Sequence, residues 1–273
     1  MRRVQVTMLS LSEICASYGD LRVLSGVSVT VRDGRVTTVI GRNGAGKTSL
    51  LNVAIGLPPA LNSGRVTLAG SDVSRAQPYA RAAAGLALVQ EHKRIFRQRS
   101  VEENLLLGGY VRRRRFRSSR REMQPRLEQA YQRFPELRDF RTTQAGRLSG
   151  GQQQMLAIAR ALMSEPSVLM LDEPSAGLSP ALQKRVFGLI AELRSEGLAI
   201  LVVEQVIEPA LALADDVVVL DNGRVAASGP VSEFQDRALV ERIYLEGDPS
   251  VSGAASKDTS WTVNHTTRHG DGD

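Results

Sequence analysis

The segment Gly41-Arg42-Asn43-Gly44-Ala45-Gly46-Lys47-Thr48 constrains this chain more than any other, because it matches the spacing G-x-x-x-x-G-K-[ST]. Ahead of it, Val36-Thr37-Thr38-Val39-Ile40 is β-branched and apolar, as a buried parallel strand would be. Behind it, Thr48 to Ile55 reads as a helix stopped by Gly56. Strand, glycine loop and helix in that order place successive backbone N–H groups at the positive end of a helix dipole. Gly41, Gly44 and Gly46 let the backbone curl without side chains in the way. A polyphosphate is the anion such a cradle fits. Lys47 is predicted to reach the β- and γ-phosphates, and the Thr48 hydroxyl to ligate Mg²⁺.

Val168-Leu169-Met170-Leu171 contains no polar residue and ends in Asp172-Glu173. This reads as a central strand delivering two carboxylates to the C-terminal edge of a sheet, the edge where ligands bind in α/β folds. Asp172 is predicted to hold the magnesium through water, and Glu173 to polarise the attacking water as general base. Alone such a strand end is unremarkable; beside a phosphate loop it specifies ATP with magnesium. A third segment, Leu148-Ser149-Gly150-Gly151-Gln152, precedes a run from Gln153 to Leu162 whose Ala, Leu and Gln content favours a helix. Ser149 and the two glycines then sit at a second helix N-terminus, either as an anion cradle without a lysine or as a plain capped helix start.

The Leu-Ser-Gly-Gly-Gln run, placed shortly before the magnesium strand, resembles the signature of the nucleotide-binding subunits of ABC transporters, and the resemblance covers roughly residues 8–247. It implies an α/β fold: a P-loop NTPase core with a mostly parallel sheet, an N-terminal antiparallel β-subdomain, and an α-helical subdomain inserted at about 91–163. It implies two subunits packed head to tail. Each ATP then lies between the loop Gly41, Arg42, Asn43, Gly44, Ala45, Gly46, Lys47, Thr48 and Ser49 of one subunit and Ser149, Gly150, Gly151 and Gln152 of the other. Tyr18 matches the family's adenine-stacking aromatic, and the same carry-over puts Glu173, Lys47 and Gln205 in catalysis and Thr48, Gln90 and Asp172 around the metal. Gln90 is the natural residue type for the last ligand, although the family's spacing from Ser100-Val101 lands on Glu91.

Val101-Glu102-Glu103-Asn104-Leu105, the Gln152–Met163 run, Val203-Glu204-Gln205, Ala210–Asp215 and Ile243-Tyr244-Leu245-Glu246-Gly247 narrow the resemblance to one of the two ATPase subunits of branched-chain amino-acid importers. The partners so implied are two transmembrane permease subunits, a second ATPase subunit or another copy of this chain, and indirectly a solute-binding protein. The location implied is peripheral, on the cytoplasmic face of the inner membrane. Two departures bear on mechanism. Gln205 stands where most members carry histidine, and Ser179 where they carry aspartate, so a slower or asymmetric site with a non-identical ATPase partner is expected. A lipid or lipopolysaccharide exporter ATPase, similar at Ile95-Phe96-Arg97, usually keeps that histidine. A soluble nucleic-acid or ribosome-associated ABC ATPase generally has two ATPase units or a long coiled-coil insertion.

The chain has 273 residues, 42% of them hydrophobic, enough for one ATPase domain with a subdomain, and no stretch approaches the roughly 18 apolar residues of a membrane span. Residues 1–7 lack a signal-peptide apolar core and read as an extension; 248–273, rich in Ser, Gly, Asp and Thr, read as a disordered tail. Residues 9–31 read as antiparallel strands, and Val217–Leu220 with Arg224–Ala226 as a hairpin across Asp221-Asn222-Gly223. The single cysteine, Cys15, excludes an internal disulfide and is expected packed within an alternating strand. His92, His265 and His269 form no metal constellation. The net charge of +6 is concentrated in Arg112–Arg121, which reads as a solvated helix face before a lipid-headgroup contact; with one aromatic, Phe116, nucleic acid is the least favoured partner.

Overall fold

The computed structural model describes residues 6–91, 94–112 and 120–234. Along the chain run β1 (Thr7–Tyr18), β2 (Leu21–Arg32), β3 (Val36–Ile40), α1 (Lys47–Ile55), β4 (Ala60–Leu68), β5 (Ser71–Asp72), α2 (Pro78–Ala83) and β6 (Leu86–Val89). Then come α3 (Val101–Gly108), α4 (Arg120–Arg133), α5 (Pro135–Asp139) and α6 (Gly150–Leu162). The chain closes with β7 (Val168–Asp172), α7 (Pro180–Ser195), β8 (Ala199–Glu204), α8 (Ile207–Leu213), β9 (Asp216–Asp221) and β10 (Arg224–Pro230). The tail, the Ile243–Gly247 match, the three histidines, residues 1–5 and the side chains of the Arg112–Arg121 cluster lie outside this description.

Two sheets divide the strands. One is antiparallel, in the order β2-β1-β4-β5; the other runs β10-β9-β3-β8-β7-β6, parallel except for β10. Every residue of β3, β7 and β8 is buried. Both faces of this sheet are covered, which is why β7 and β8 read as apolar runs up to their terminal acids and β3 as β-branched residues with Thr37 and Thr38 buried among them. Val168 and Met170 pack toward α1 and the antiparallel sheet, while Leu169 and Leu171 pack toward the helices α6 and α7, the period of two expected of a strand. Between β6 and β7 the described residues are helical or irregular, apart from one isolated bridge between Ser100 and Gln144. That agrees with a helical insertion.

Cys15 departs from expectation. Leu9 and Leu11 face the core, but Glu13 adopts a left-handed φ of 52° and the register slips, so that Ile14 and Ala16 become the buried pair. Cys15 is turned outward, partly exposed, with its Sγ accepting the Gly26 N–H at 3.2 Å.

Two buried polar side chains each hold a neighbouring backbone segment in place. Arg81, 3% exposed, donates to Val53 O (2.7 Å) and Ala54 O (2.8 Å) in the last turn of α1, and to Ser74 O (2.8 Å) and Ala76 O (3.0 Å). The guanidinium fork is shaped for this multiple recognition, and the side chain thereby fixes the far end of the phosphate-loop helix. Asn104, fully buried on α3, pins the loop before it through the N–H (2.8 Å) and carbonyl (3.0 Å) of Phe96 and the carbonyl of Ser100 (2.9 Å). Arg81→Met should lower folding stability by about 2 kcal/mol, because carbonyls buried beneath α2 lose their donor, and urea denaturation measures it.

Candidate functional site

Three adjacent strands end at one level. Ile40 of β3 pairs with Glu204 of β8, and Val203 of β8 with Asp172 of β7, so Gly41, Gln205 and Glu173 all emerge at the same edge of the sheet. The topology therefore brings together residues separated by more than a hundred positions in the sequence.

The phosphate loop leaves β3 through Gly41, where a Cβ would collide with the Leu220 carbonyl oxygen, and enters α1 through Gly46 at φ 102°, where one would lie 2.9 Å from Leu24 Cδ2. Neither position admits a side chain. The loop closes on itself through Ala45 N–H to Arg42 O (3.1 Å) and is propped from outside: Gly223, at the tip of the β9–β10 hairpin, donates to Ala45 O (2.9 Å) and accepts from Ser25 (2.8 Å). Helix α1 has no side-chain cap and no acidic residue in its first turn, whereas α3 and α6 both begin with a complete capping box. Its N–H groups suit an external anion.

Lys47, 5% exposed, donates to Gly41 O (2.9 Å) and Arg42 O (3.2 Å) and pairs with Glu173 Oε1 at 3.4 Å. Thr48 donates its hydroxyl to Asp172 Oδ1 at 3.2 Å. Asp172 is 3% exposed, and burial pushes its carboxyl from the ordinary 3.8 up to about 6; the Thr48 bond opposes this, while the charges of Glu173 and Glu91 reinforce it. A buried carboxylate with two acidic neighbours and an adjacent hydroxyl has the donor chemistry for a divalent cation, so the fit to magnesium is good. Glu173 itself sits at a left-handed φ of 46°, with its N–H bonded to Val203 O (2.9 Å) and its carbonyl accepting from Ala176 (3.1 Å).

The remaining predicted residues are spread around this centre. Gln90 lies at the end of β6 with its amide donating to Asn52 Oδ1 of α1 at 3.4 Å; Glu91 is the neighbour whose charge reaches Asp172. Gln205 is exposed just past β8. Tyr18, 45% exposed at the end of β1, donates to Pro58 O at 3.3 Å. Ser149 and Gln152 satisfy each other at the start of α6, Gln152 N–H to Ser149 Oγ (3.3 Å) and Ser149 N–H to Gln152 Oε1 (2.9 Å), while Gly151 abuts Leu182 of α7. The signature is thus a capped helix start in which Ser149 Oγ and Gln152 Oε1 each accept the other residue's backbone N–H. Glu204 was not singled out from sequence, yet it is 2% exposed among these carboxylates, and burial raises its pKa with Glu173's charge contributing. Its signal is the one that marked Asp172, an acidic residue ending the apolar run Leu198–Val203.

The family profile described as ABC transporter matches residues 24–176. The chain belongs to the ABC transporter family. It is similar to the high-affinity branched-chain amino acid transport ATP-binding protein BraG of Pseudomonas aeruginosa, 39% identical over 240 residues that span 88% of this chain and 100% of BraG. It is also similar to the probable branched-chain amino acid transport ATP-binding protein LivF of Archaeoglobus fulgidus, 37% identical over 87% of this chain and 98% of that one. Among solved structures, a nucleotide-free ATP-binding cassette from an ABC transporter superposes with a TM-score of 0.76 at 29% identity, covering 88% of this chain and 98% of that cassette. This ABC ATP-binding subunit therefore shares its fold with that cassette over nearly the cassette's full length. Among its described residues no helix is long and apolar enough to cross a membrane.

The titration of Asp172 has a sign. With a folded pKa of about 6 against 3.8, the folded chain binds this proton more tightly than the unfolded chain. The contribution is fully present below about pH 4 and lost as pH rises through 6, leaving a penalty of up to about 3 kcal/mol at neutral pH. In magnesium-free buffer Asp172→Asn should thus be more stable than the natural chain at pH 7.5, by about 1–3 kcal/mol, with the gain vanishing near pH 4; urea titrations across that range measure it.

Proposed function

We propose that this subunit binds magnesium ATP between its phosphate loop and the signature of a second ATPase subunit, hydrolyses it, and so powers an importer of branched-chain amino acids. The observation that carries the reading is the convergence of Lys47, Thr48, Asp172 and Glu173 at one sheet edge, in a chain of which 88% aligns with the whole of BraG. Gln205, where exporters of the lipopolysaccharide class usually have histidine, favours the importer.

In this reading Gly41 to Ser49, with Tyr18 against the base, bind one face of the nucleotide, and Ser149 to Gln152 of the partner cover the other. Thr48 and Asp172, with Gln90 or Glu91, hold magnesium, which when bound would neutralise phosphate charge. A polyphosphate competes with Glu173 for the Lys47 ammonium, and the released carboxylate becomes available to a water. The water oxygen bonds to the γ-phosphorus as the bond to the β–γ bridging oxygen breaks; ADP leaves with that oxygen, and Glu173 takes the water's proton. Gln205 offers the γ-phosphate a hydrogen bond without positive charge, and Ser179 starts α7 as an uncharged N-cap, so this half of the dimer turns over slowly beside a non-identical partner. Loss of the γ-phosphate loosens the pair, and the two permease subunits on the cytoplasmic face of the membrane respond.

Lys47→Ala should abolish ATP binding, whereas Glu173→Gln should bind ATP normally, lose turnover by about a hundredfold or more, and accumulate as a closed dimer. Calorimetry, phosphate release and size-exclusion chromatography report the three; equal loss of affinity in both variants would sink the assignment. Affinity capture from membranes should return permease subunits together with a second, related ATPase. Full family-like turnover by the purified chain as a homodimer would rule out the asymmetric site.

A further inference from the structure

Glu204 is a buried acid that the hydrolytic scheme above does not use. It closes β8 opposite Ile40 and immediately before Gln205. Its Oε1 accepts the Ser175 N–H at 3.2 Å, and the Ser175 hydroxyl and the Gln205 N–H lie close enough to favour the charge of the same carboxylate. Ser175 is itself 3% exposed, and its carbonyl accepts from Gln183 of α7 at 3.2 Å, so both its backbone N–H and its carbonyl are held. Two residues upstream, Glu173 occupies a left-handed backbone geometry that a non-glycine residue leaves unless its surroundings over-determine it. Its N–H is fixed by Val203, the neighbour of Glu204, and its carbonyl by Ala176, the neighbour of Ser175. The strained turn is therefore stitched to the end of β8 at both sides, and the second stitch runs through Glu204.

A carboxylate is a costly way to fill such a site, since an apolar residue of similar size would pack there without losing hydration. What it provides is an acceptor for the Ser175 N–H, with a lone pair left for the hydroxyl beside it. We propose that Glu204 is a positioning residue: by holding Ser175 it keeps Glu173 in the left-handed geometry that aims its carboxylate at the attacking water, and sets the course of the Ser175–Ser179 loop toward α7. Gln205 follows Glu204 directly, so a shift at the end of β8 is transmitted to the loop after Glu173. The inference rests on the hydrolytic reading given above.

Three full-length variants test it. Glu204→Met keeps the volume and removes the acceptor; kcat for magnesium ATP hydrolysis should fall about tenfold while KM and ATP affinity stay within about twofold. Glu204→Gln retains a carbonyl for the Ser175 N–H and should recover most of kcat. Ser175→Ala removes only the hydroxyl contact and should lower kcat about threefold. In hydrogen exchange, the Ser175 amide should lose protection by about tenfold in Glu204→Met and keep it in Glu204→Gln. Natural kcat in Glu204→Met, an equal fall in ATP affinity, or a glutamine variant as impaired as the methionine one would overturn the proposal. If the methionine variant fails to fold, unchanged kcat in Ser175→Ala overturns it instead. Absence of hydrolysis by the natural chain, with its partner ATPase present, would count against the function rather than the tether, which the exchange measurement still reads.

Discussion

Everything at the candidate site depends on three parallel strands that are buried on both faces and end in register. Because β3, β8 and β7 are hydrogen-bonded neighbours with fixed pairing, their C-terminal residues have no freedom to slide. A slip of one residue would exchange the two apolar faces of β7, exposing Leu169 and Leu171 to the partners of Val168 and Met170 and the reverse. The packing of the core therefore sets the spacing of the Gly41–Thr48 loop, Glu204 and the Asp172-Glu173 pair before any ligand contributes.

That rigidity carries an electrostatic burden. Asp172, Glu173, Glu204 and Glu91 share one edge of the sheet, and Lys47 is the cation paired there. Burial pushes Asp172 and Glu204 toward their neutral forms, the direction expected when carboxylates crowd out of water. Asp172, Glu173 and Glu204 are nonetheless each engaged by a donor: Thr48 for Asp172, Lys47 for Glu173, Ser175 for Glu204. The arrangement favours arrival of positive charge, and under the proposed function Lys47 is a counter-ion that phosphate would draw away from Glu173.

Much of this was legible in the sequence because the decisive elements are local. The phosphate loop, the strand ending at Asp172, the hairpin across Asn222-Gly223 and the capped start of α6 each declare themselves within a dozen residues. What escaped notice depends on partners far along the chain. Glu204 acquires meaning from Ser175, 29 positions away, and Arg81 from the carbonyls of Val53 and Ala54. The bulge at Glu13 breaks a period that looked regular from Leu9 onward, and moved Cys15 out of the core. The choice between Gln90 and Glu91 is likewise spatial: one amide rests on α1, and the adjacent carboxylate is felt by Asp172.

The tip of the β9–β10 hairpin carries a lesson for anyone handling this chain. An Asn-Gly turn between two short strands looks like an ideal place to splice an epitope or attach a fluorophore. Here the turn's glycine leans on Ala45 and on the backbone of Ser25, and no Cβ could be added without striking Val23. This surface bend is a doorstop for the Gly41–Thr48 loop, and under the proposed function cargo grafted there would be read out as altered triphosphate affinity.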